Sequence, residues 1–413
     1  MPFNLRAIPT NKLGSLFFRM AAMAAKFAVF VFLSKYFGEV VYGVYTLIAT
    51  TITVSIFVLG LDFYNFMIRD LLLKKKETAS KIGSAFILYL IIYLLFFMLG
   101  YVAFKQIDYF SDHTPLILLI CITEHFHQEI YRLLLAFKKV LSANWFLFFR
   151  VAGWTLSIVA LILWSGWEIT LKTVLMVWGG FNVGALFLVF LVFCREIRPS
   201  IFSMKIKKDW LLKGLKISMV FYTATLALKT IEYSNRYIVE GILGEASAGI
   251  FSFYSNFAML VSLYVSTLVV SYEIPGLIES SLTSDFKQKL SSYKKLLFSH
   301  SLIASLVSLL VVYPVLLWQG KESFANFWPL AILLTFGMFL MNISLVYHAY
   351  LYIKHRERKI LEITIIAGII NVVSTYFLCT YFGLYGAGIA FLITGISMFW
   401  LRKGSIKKKE LEV

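Results

Sequence analysis

Charge is what this sequence has little of. Of its 413 residues only 15% are Asp, Glu, Lys or Arg, whereas 60% are hydrophobic and 17% aromatic. A soluble domain carries about 25% charge and could not cover so much apolar surface. Cysteine is also scarce. Cys121, Cys194 and Cys379 are scattered through apolar segments, a pattern that excludes both a disulfide framework and a cysteine metal site. No Gly-Lys-Ser/Thr phosphate loop is present, so the chain does not hydrolyse nucleotide itself. There is no nucleophile elbow and no long polar loop to carry a pair of catalytic carboxylates. These absences argue against an enzyme, and in particular against a membrane glycosyltransferase or ligase, which needs a larger catalytic loop on the outer face.

What the chain does have is long apolar runs. Each membrane-crossing helix needs about 20 such residues. The hydropathy pattern predicts an all-α polytopic membrane protein with twelve spans, at about 13–35, 41–64, 83–104, 115–136, 142–164, 173–194, 217–239, 248–271, 296–318, 327–352, 360–380 and 384–401. The net charge of +17 is then read as basic cytoplasmic loops rather than as nucleic-acid binding. With both termini cytoplasmic, 29 Lys and Arg fall in cytoplasmic segments. Only Lys35, Lys105, Lys172 and Lys321 fall in the opposite loops. The N-terminus does not read as a cleaved signal, because Arg19 and Lys26 interrupt its apolar stretch.

The basic segment "CREIRPSIFSMKIKKDWLLKGLKIS" (194–218) divides the chain. The expected organisation is a six-helix bundle over 1–194, a basic cytoplasmic linker over 195–216, a second six-helix bundle over 217–402 and a basic tail over 403–413. A repeat supports this halving. "YFGEVVYGVY" (36–45) and "ILGEASAGIF" (242–251) share one plan at an offset of 206, half the chain length. Gly38-Glu39 and Gly43 in the first copy match Gly244-Glu245 and Gly249 in the second. Both copies sit where the first two helices of a half reverse, and glycine permits tight turns and close helix contact. Two homologous bundles related by an axis along the membrane normal would produce such an offset. Two unrelated tight hairpins would produce it by coincidence.

Six basic residues lie inside predicted spans: Arg19, Lys26, Arg132, Arg150, Lys229 and Arg236. Each costs about 2.5–3.5 kcal/mol at the centre of a membrane helix, so it should face a cavity or a partner. Arg19 and Lys26 share one helical face, as do Lys229, Glu232 and Arg236. The first helices of both halves thus carry cationic stripes, and a central cavity lined by them would attract an anion such as pyrophosphate. We take Arg19, Lys26, Arg150, Lys229 and Arg236 as candidate substrate-binding residues. Snorkelling to the interface is the competing reading for Arg19 and Arg132.

The polar stretch "TEHFHQEIYR" (123–132) in the fourth span invites a metal assignment. His125 and His127, however, point about 200° apart on a helix and cannot chelate one ion. No metal site is expected. Glu124, Gln128 and Arg132 form a stripe spaced by four, read as an internal ion pair or proton relay. Asp62, Glu124 and Glu232 are the candidate acids for coupling to H+ or Na+, with Glu124 foremost because it lies nearest the middle of its span; the alternative is a plain counter-ion role, Glu124 neutralising Arg132 or Arg150. No other cofactor is expected.

Three stretches carry a resemblance: "FVFLSKYFGEVVYGVYTLIATTITVSIFVLGLDFYNFMIRD" (30–70), "NRYIVEGILGEASAGIFSFYSNFAML" (235–260) and "NVVSTYFLCTYFGLYGAGIAFLIT" (371–394). Their Leu-Gly, Gly-x-Tyr and Phe-Gly-x-x-Gly-Ala patterns resemble the polysaccharide (O-antigen-type) flippases of the multidrug/oligosaccharidyl-lipid/polysaccharide exporter superfamily. Asn235 stands where that family commonly has Asp. The resemblance implies two six-helix bundles in a V around a cationic cavity, in the bacterial inner membrane. It also implies an undecaprenyl-pyrophosphate-linked oligosaccharide as cargo, flipped to the outer leaflet by alternating access, and an association with other membrane proteins of polysaccharide assembly. Drug or small-molecule antiporters of the same superfamily share the architecture and are the alternative.

The loop asymmetry generates a test of topology. Single cysteines placed between positions 195 and 215 of a cysteine-free variant should react with an impermeant maleimide only after the cytoplasmic side is opened. Labelling of intact cells would overturn the arrangement.

Overall fold

The computed structural model describes residues 10–73, 77–196, 206–281 and 285–406. Arg6, most of the tail at 407–413 and the linker residues 197–205 lie outside the described residues. Every regular element among the described residues is helical. In chain order these are α1 (Thr10–Tyr36), α2 (Glu39–Gly60), α3 (Phe63–Leu73), α4 (Thr78–Lys105), α5 (Asp108–Ser111), α6 (Thr114–Ala136), α7 (Val140–Trp164) and α8 (Leu171–Glu196). Then come α9 (Lys208–Val265), a π-helical turn (Ser266–Val270), α10 (Ser271–Ser280), α11 (Phe286–Gln319), α12 (Glu322–Ala325), α13 (Pro329–Ile343), α14 (Leu345–Ile353) and α15 (Glu357–Gly404).

Two of these are hairpins. Gly244 in α9 and Gly383 in α15 have positive φ, 83° and 57°, which breaks the helix at a residue able to adopt it. Across the first break, Arg236 donates to Ser255 Oγ at 3.1 Å, although 19 residues of continuous helix would separate them by about 28 Å. Across the second, Thr394 donates to Asn371 at 3.0 Å over 23 residues. The chain therefore doubles back at both glycines.

Among the described residues, nine helical stretches are long and apolar enough to cross a membrane. Counting the two hairpins twice, and adding α6, whose polar cluster lowers its hydropathy, reproduces the twelve spans expected from the sequence. The apolar residues left exposed are those of the helix faces, such as Leu94, Leu95, Leu310 and Tyr381. This is the surface of a polytopic membrane protein, whose outside is solvated by lipid.

The chain separates into two compact units, one of Met1–Tyr36 with Ile48–Thr225 and the other of Phe37–Leu47 with Leu226–Val413. In the first unit α1 runs along α7, and α6, α7 and α8 pack together. Trp210 of α9 packs against Phe63 and Phe66 of α3 and donates to Asp70 at 2.9 Å. In the second unit α13 packs on α15 through small residues: a Cβ on Gly395 would lie 2.5 Å from the Gly337 carbonyl oxygen. Without a hydrophobic driving force between helices in lipid, such close backbone approach is a main source of cohesion.

The repeated glycine motif finds its physical meaning in the second unit. Gly43 and Gly249, the matched positions of the two copies, lie against each other. A Cβ on Gly43 would meet the Glu245 carbonyl oxygen at 1.8 Å, and one on Gly249 would meet Gly43 N at 2.9 Å. Around this contact Lys321 donates to the Phe37 carbonyl, Ser323 donates to Glu39, and Tyr42 packs edge-on against Phe324.

Several helix ends depart from the sequence reading. The second span ends at Gly60, not 64, because Leu61 and Asp62 both adopt left-handed φ, 46° and 50°. The tenth is broken at Ser344 into α13 and α14, and the ninth begins ten residues earlier, at Phe286. Lys81 and Arg402, counted as loop and tail cations, are both buried. Lys81 pairs with Asp70 at 2.6 Å, and Arg402 donates to Ser344 at the α13–α14 break.

Because backbone blocks a side chain at Gly43 and Gly249, Gly43→Ala or Gly249→Ala should destabilise the protein by about 1–3 kcal/mol or more. Gly38→Ala, where a Cβ meets nothing within 4 Å, should leave it unchanged. Thermal denaturation in detergent, followed by loss of monodisperse protein, measures both.

Candidate functional site

At 100° per residue, neighbouring positions on α6 serve different faces. Glu124 looks toward α7 and α8, whereas His125, Glu129 and Arg132, spaced by four and three, line up on another face toward α3 and α4. The polar stretch therefore builds two clusters rather than one.

The first is centred on Glu124, only 6% exposed. Its carboxylate accepts from Arg150 of α7 at 2.9 Å, and Trp178 and Asn182 of α8 donate to its other oxygen at 2.8 and 3.3 Å. Arg150 also donates to the Glu124 backbone carbonyl at 3.1 Å. Asn182 bridges onward to Thr123 at 3.1 Å, and Trp178 stacks on Trp154 with centroids 4.5 Å apart. Lys26 of α1 lies within electrostatic reach of the carboxylate. Each of these hydrogen bonds to the Glu124 carboxylate comes from a donor, and Arg150 is equally enclosed at 4% exposure.

The second cluster holds His125, Glu129 and Arg132 together with Tyr89 and Tyr93 of α4. Tyr89 donates to Glu129 Oε2 at 2.9 Å, and Tyr93 hydrogen-bonds His125 Nδ1 at 2.6 Å. Arg132 pairs with Glu129 Oε1, and its guanidinium covers the Tyr64 ring of α3 at 3.5 Å. Asp62, at the break between α2 and α3, accepts from Thr225 of α9 at 2.5 Å.

In the second unit Lys229 pairs with Glu232 at 2.6 Å. Arg236 is buried and donates to Ser255, Asn256 and, at 3.6 Å, the Met259 sulfur. Asn371 donates to Asn235 at 2.5 Å and to Ser234 at 3.1 Å, tying two of the three resemblance stretches, 235–260 and 371–394, into one network.

The structure thus brings together Glu124 with Arg150 and Lys229 with Glu232, each pair joining a candidate cation to a candidate acid. Arg19 and Lys26 stay on the half-exposed and exposed sides of α1. The expected stripe of Glu124, Gln128 and Arg132 does not form an ion pair. Arg132 takes Glu129 because an i,i+3 partner is at hand, and Glu124 takes Arg150 from the facing helix. Sequence reasoning passed over Trp178, Asn182, Glu129, Tyr89 and Tyr93 as partners. The signal for the first two was present: Trp178 and Asn182 are four apart, hence on one face, and an Asn inside a membrane span seeks a partner across a helix interface. No group of three or more metal-ligating side chains occurs among the described residues.

Removing one partner of a buried ion pair leaves the other charge uncompensated, at a cost of about 3–5 kcal/mol. Glu124→Leu alone should accordingly lower the thermal midpoint in detergent sharply. The double variant Glu124→Leu, Arg150→Met should recover most of the loss. Equal stability of the single variant and the parent would show that the pair holds nothing together.

No protein-family model matches the sequence, and no curated protein matches it. Solved structures do. An inward-facing multidrug resistance MATE family transporter of the MOP superfamily superimposes with a TM-score of 0.74 at 15% identity, covering 95% of this chain and 97% of the other. The lipid II flippase MurJ in an inward closed conformation gives 0.71 at 14% identity, covering 96% and 87%. The MATE multidrug transporter DinF-BH in complex with R6G gives 0.66 at 15%, covering 98% and 97%. The chain is a polytopic helical membrane protein with the fold of the MATE and MurJ transporters.

Proposed function

We propose that the protein is a transporter working by alternating access, and that its cargo is a polyprenyl-pyrophosphate-linked oligosaccharide moved from the inner to the outer leaflet. The observation that carries this reading is the pair of cations on α1. Arg19 and Lys26 stand two helical turns apart on a helix that crosses the membrane, neither is buried, and Arg19 has no carboxylate partner among the described residues. A cation such as Arg19, inside a span and without a carboxylate among the described residues, is costly unless an anion or water meets it. A pyrophosphate head group supplies that anion, with charge-assisted contacts to Lys and Arg. The flippase-like stretches at 30–70, 235–260 and 371–394 and the fold shared with MurJ support the same cargo class. The proposed binding set is Arg19, Lys26, Arg150, Lys229 and Arg236, with Arg150 acting through Glu124. Coupling to H+ or Na+ belongs to the proposal as well. Of Asp62, Glu124 and Glu232, only Asp62 stands at a helix break, where a change of occupancy can move backbone. The proposed setting is the bacterial inner membrane with both termini cytoplasmic, beside other membrane proteins of polysaccharide assembly.

A drug antiporter has the same fold support, since MATE multidrug transporters match over nearly the whole chain. The two readings separate by phenotype. Deletion should abolish a surface polysaccharide and accumulate its lipid-linked unit on the inner leaflet, leaving sensitivity to cationic dyes unchanged. The reverse pattern would favour the antiporter. Within the flippase reading, the double variant Lys26→Ala, Lys229→Ala should lose transport at normal abundance. Each lost charge-assisted bond is worth about 1.5–3 kcal/mol, roughly ten- to hundredfold. The Lys→Arg pair should retain more activity, and full activity of the alanine pair would make both lysines structural.

A further inference from the structure

The cluster on the second face of α6 contains a charge imbalance that the Glu124 pair does not touch. Two carboxyl groups, Asp62 and Glu129, are buried and in electrostatic contact, and among the described residues the one cation paired with either is Arg132, on Glu129. The other side chains in contact with them among the described residues are uncharged. From α4 come Tyr89 and Tyr93, from α3 the Tyr64 ring beneath Arg132, and from α9 the Thr225 hydroxyl and Tyr222. Lys81 of α4 is engaged by Asp70 of α3, and Arg150 is engaged by Glu124. With both acids ionised the cluster would hold one uncompensated buried negative charge, at a cost of several kcal/mol. One further cation has to be bound there.

His125 indicates which cation. It is completely buried, Tyr93 fixes its Nδ1, and its Nε2 has no hydrogen-bond partner among the described residues, facing Glu129 Oε1 at 3.8 Å. The same Oε1 is the one held by Arg132. Gly60 leaves the space for this ring, since a Cβ there would stand 3.0 Å from Nε2. A nitrogen with an open position, directed at a carboxyl oxygen just beyond hydrogen-bond length, accepts or passes a proton and is a poor ligand for an alkali ion. The two left-handed residues Leu61 and Asp62 adjoin Gly60, and each costs about 1–3 kcal/mol, strain that accumulates at switch regions.

We infer that Asp62, His125 and Glu129 form a buried proton-binding site, the proton residing on the Glu129 carboxyl group and exchanging with His125 Nε2. When Glu129 is protonated, Oε1 becomes the donor to Nε2 and the hold on Arg132 is loosened, so proton occupancy and the α2–α3 break are read by one arginine. His125 and Asp62 are positioning residues for this proton. The use of the site to drive cargo rests on the transporter reading; proton binding itself does not.

Infrared difference spectroscopy of the full-length protein in lipid, between acidic and alkaline buffer, tests the site without any cargo. The protein should show a protonated-carboxyl C=O band that shifts in D2O and is absent from Glu129→Gln. The band should persist in Glu357→Gln, which removes an exposed carboxyl group. Tyr89→Phe, a milder change that removes a donor to the ionised carboxylate, should raise the band's titration midpoint by about one unit. Asp62→Asn, which removes a neighbouring negative charge, should lower it. A band that survives Glu129→Gln, or midpoints unmoved by both Tyr89→Phe and Asp62→Asn, would overturn the assignment. Because these variants are read against bound protons, failure of cargo transport would count against the transporter reading and leave this result standing.

Discussion

A charged side chain inside a membrane helix must be satisfied where it stands, because lipid offers it nothing. The Glu124–Arg150 pair is the clearest instance, and the first unit is organised around it. Meeting the demand of one carboxylate takes a guanidinium from α7 and an indole and an amide from α8, so three helices are held in register by a single group. The stacked Trp154 and Trp178 then close the space between those helices. Such a pair adds little net stability over apolar packing, but it makes alternative registers costly.

In the second unit satisfaction comes from neutral donors and acceptors and from close backbone approach. Asn371 gathers Ser234, Asn235 and Thr394 into one network, and Gly43 meets Gly249 with no side chain between. Polar contacts between membrane helices are each worth only about 0.6 kcal/mol on average, so it is their combination with small-residue packing that specifies the arrangement. The Gly43–Gly249 contact also places residues 37–47 with the second unit although they belong to the first half of the sequence.

The two faces of α6 divide their labour. One holds an acid with a matched cation and matched donors; the other holds two acids, one arginine and an imidazole with an open nitrogen. The matched cluster leaves no charge unbalanced. A mismatched one changes its charge with its surroundings, and here it borders the break at Leu61–Asp62. Conformational switching requires a ligand that distinguishes two states, and a buried group whose charge depends on access to water meets that requirement.

Much of this was legible in the sequence because it depends on local composition. Apolar runs of span length dictate membrane helices whatever they pack against, and glycines at 38, 43, 244 and 249 announce reversals and close contacts through their missing Cβ. The unusual residues of the fourth span were visible too, since charge is rare enough in such a chain to stand out. Which charge meets which was not legible. The sequence offered Arg132 and Arg150 alike as partners for Glu124, and the choice of Arg150 follows from the position of α7, which is set by its packing on α1, α6 and α8. For the same reason Arg402 and Lys81 read as loop cations and are buried, and the left-handed pair at 61–62 carries no glycine to announce it. Composition and periodicity determined the class and the spans of this protein. The partners of its buried charges, and the imbalance left on one face of α6, were decided only by the tertiary structure, because a charge in a low-dielectric interior is neutralised by whatever lies nearest in space rather than in sequence.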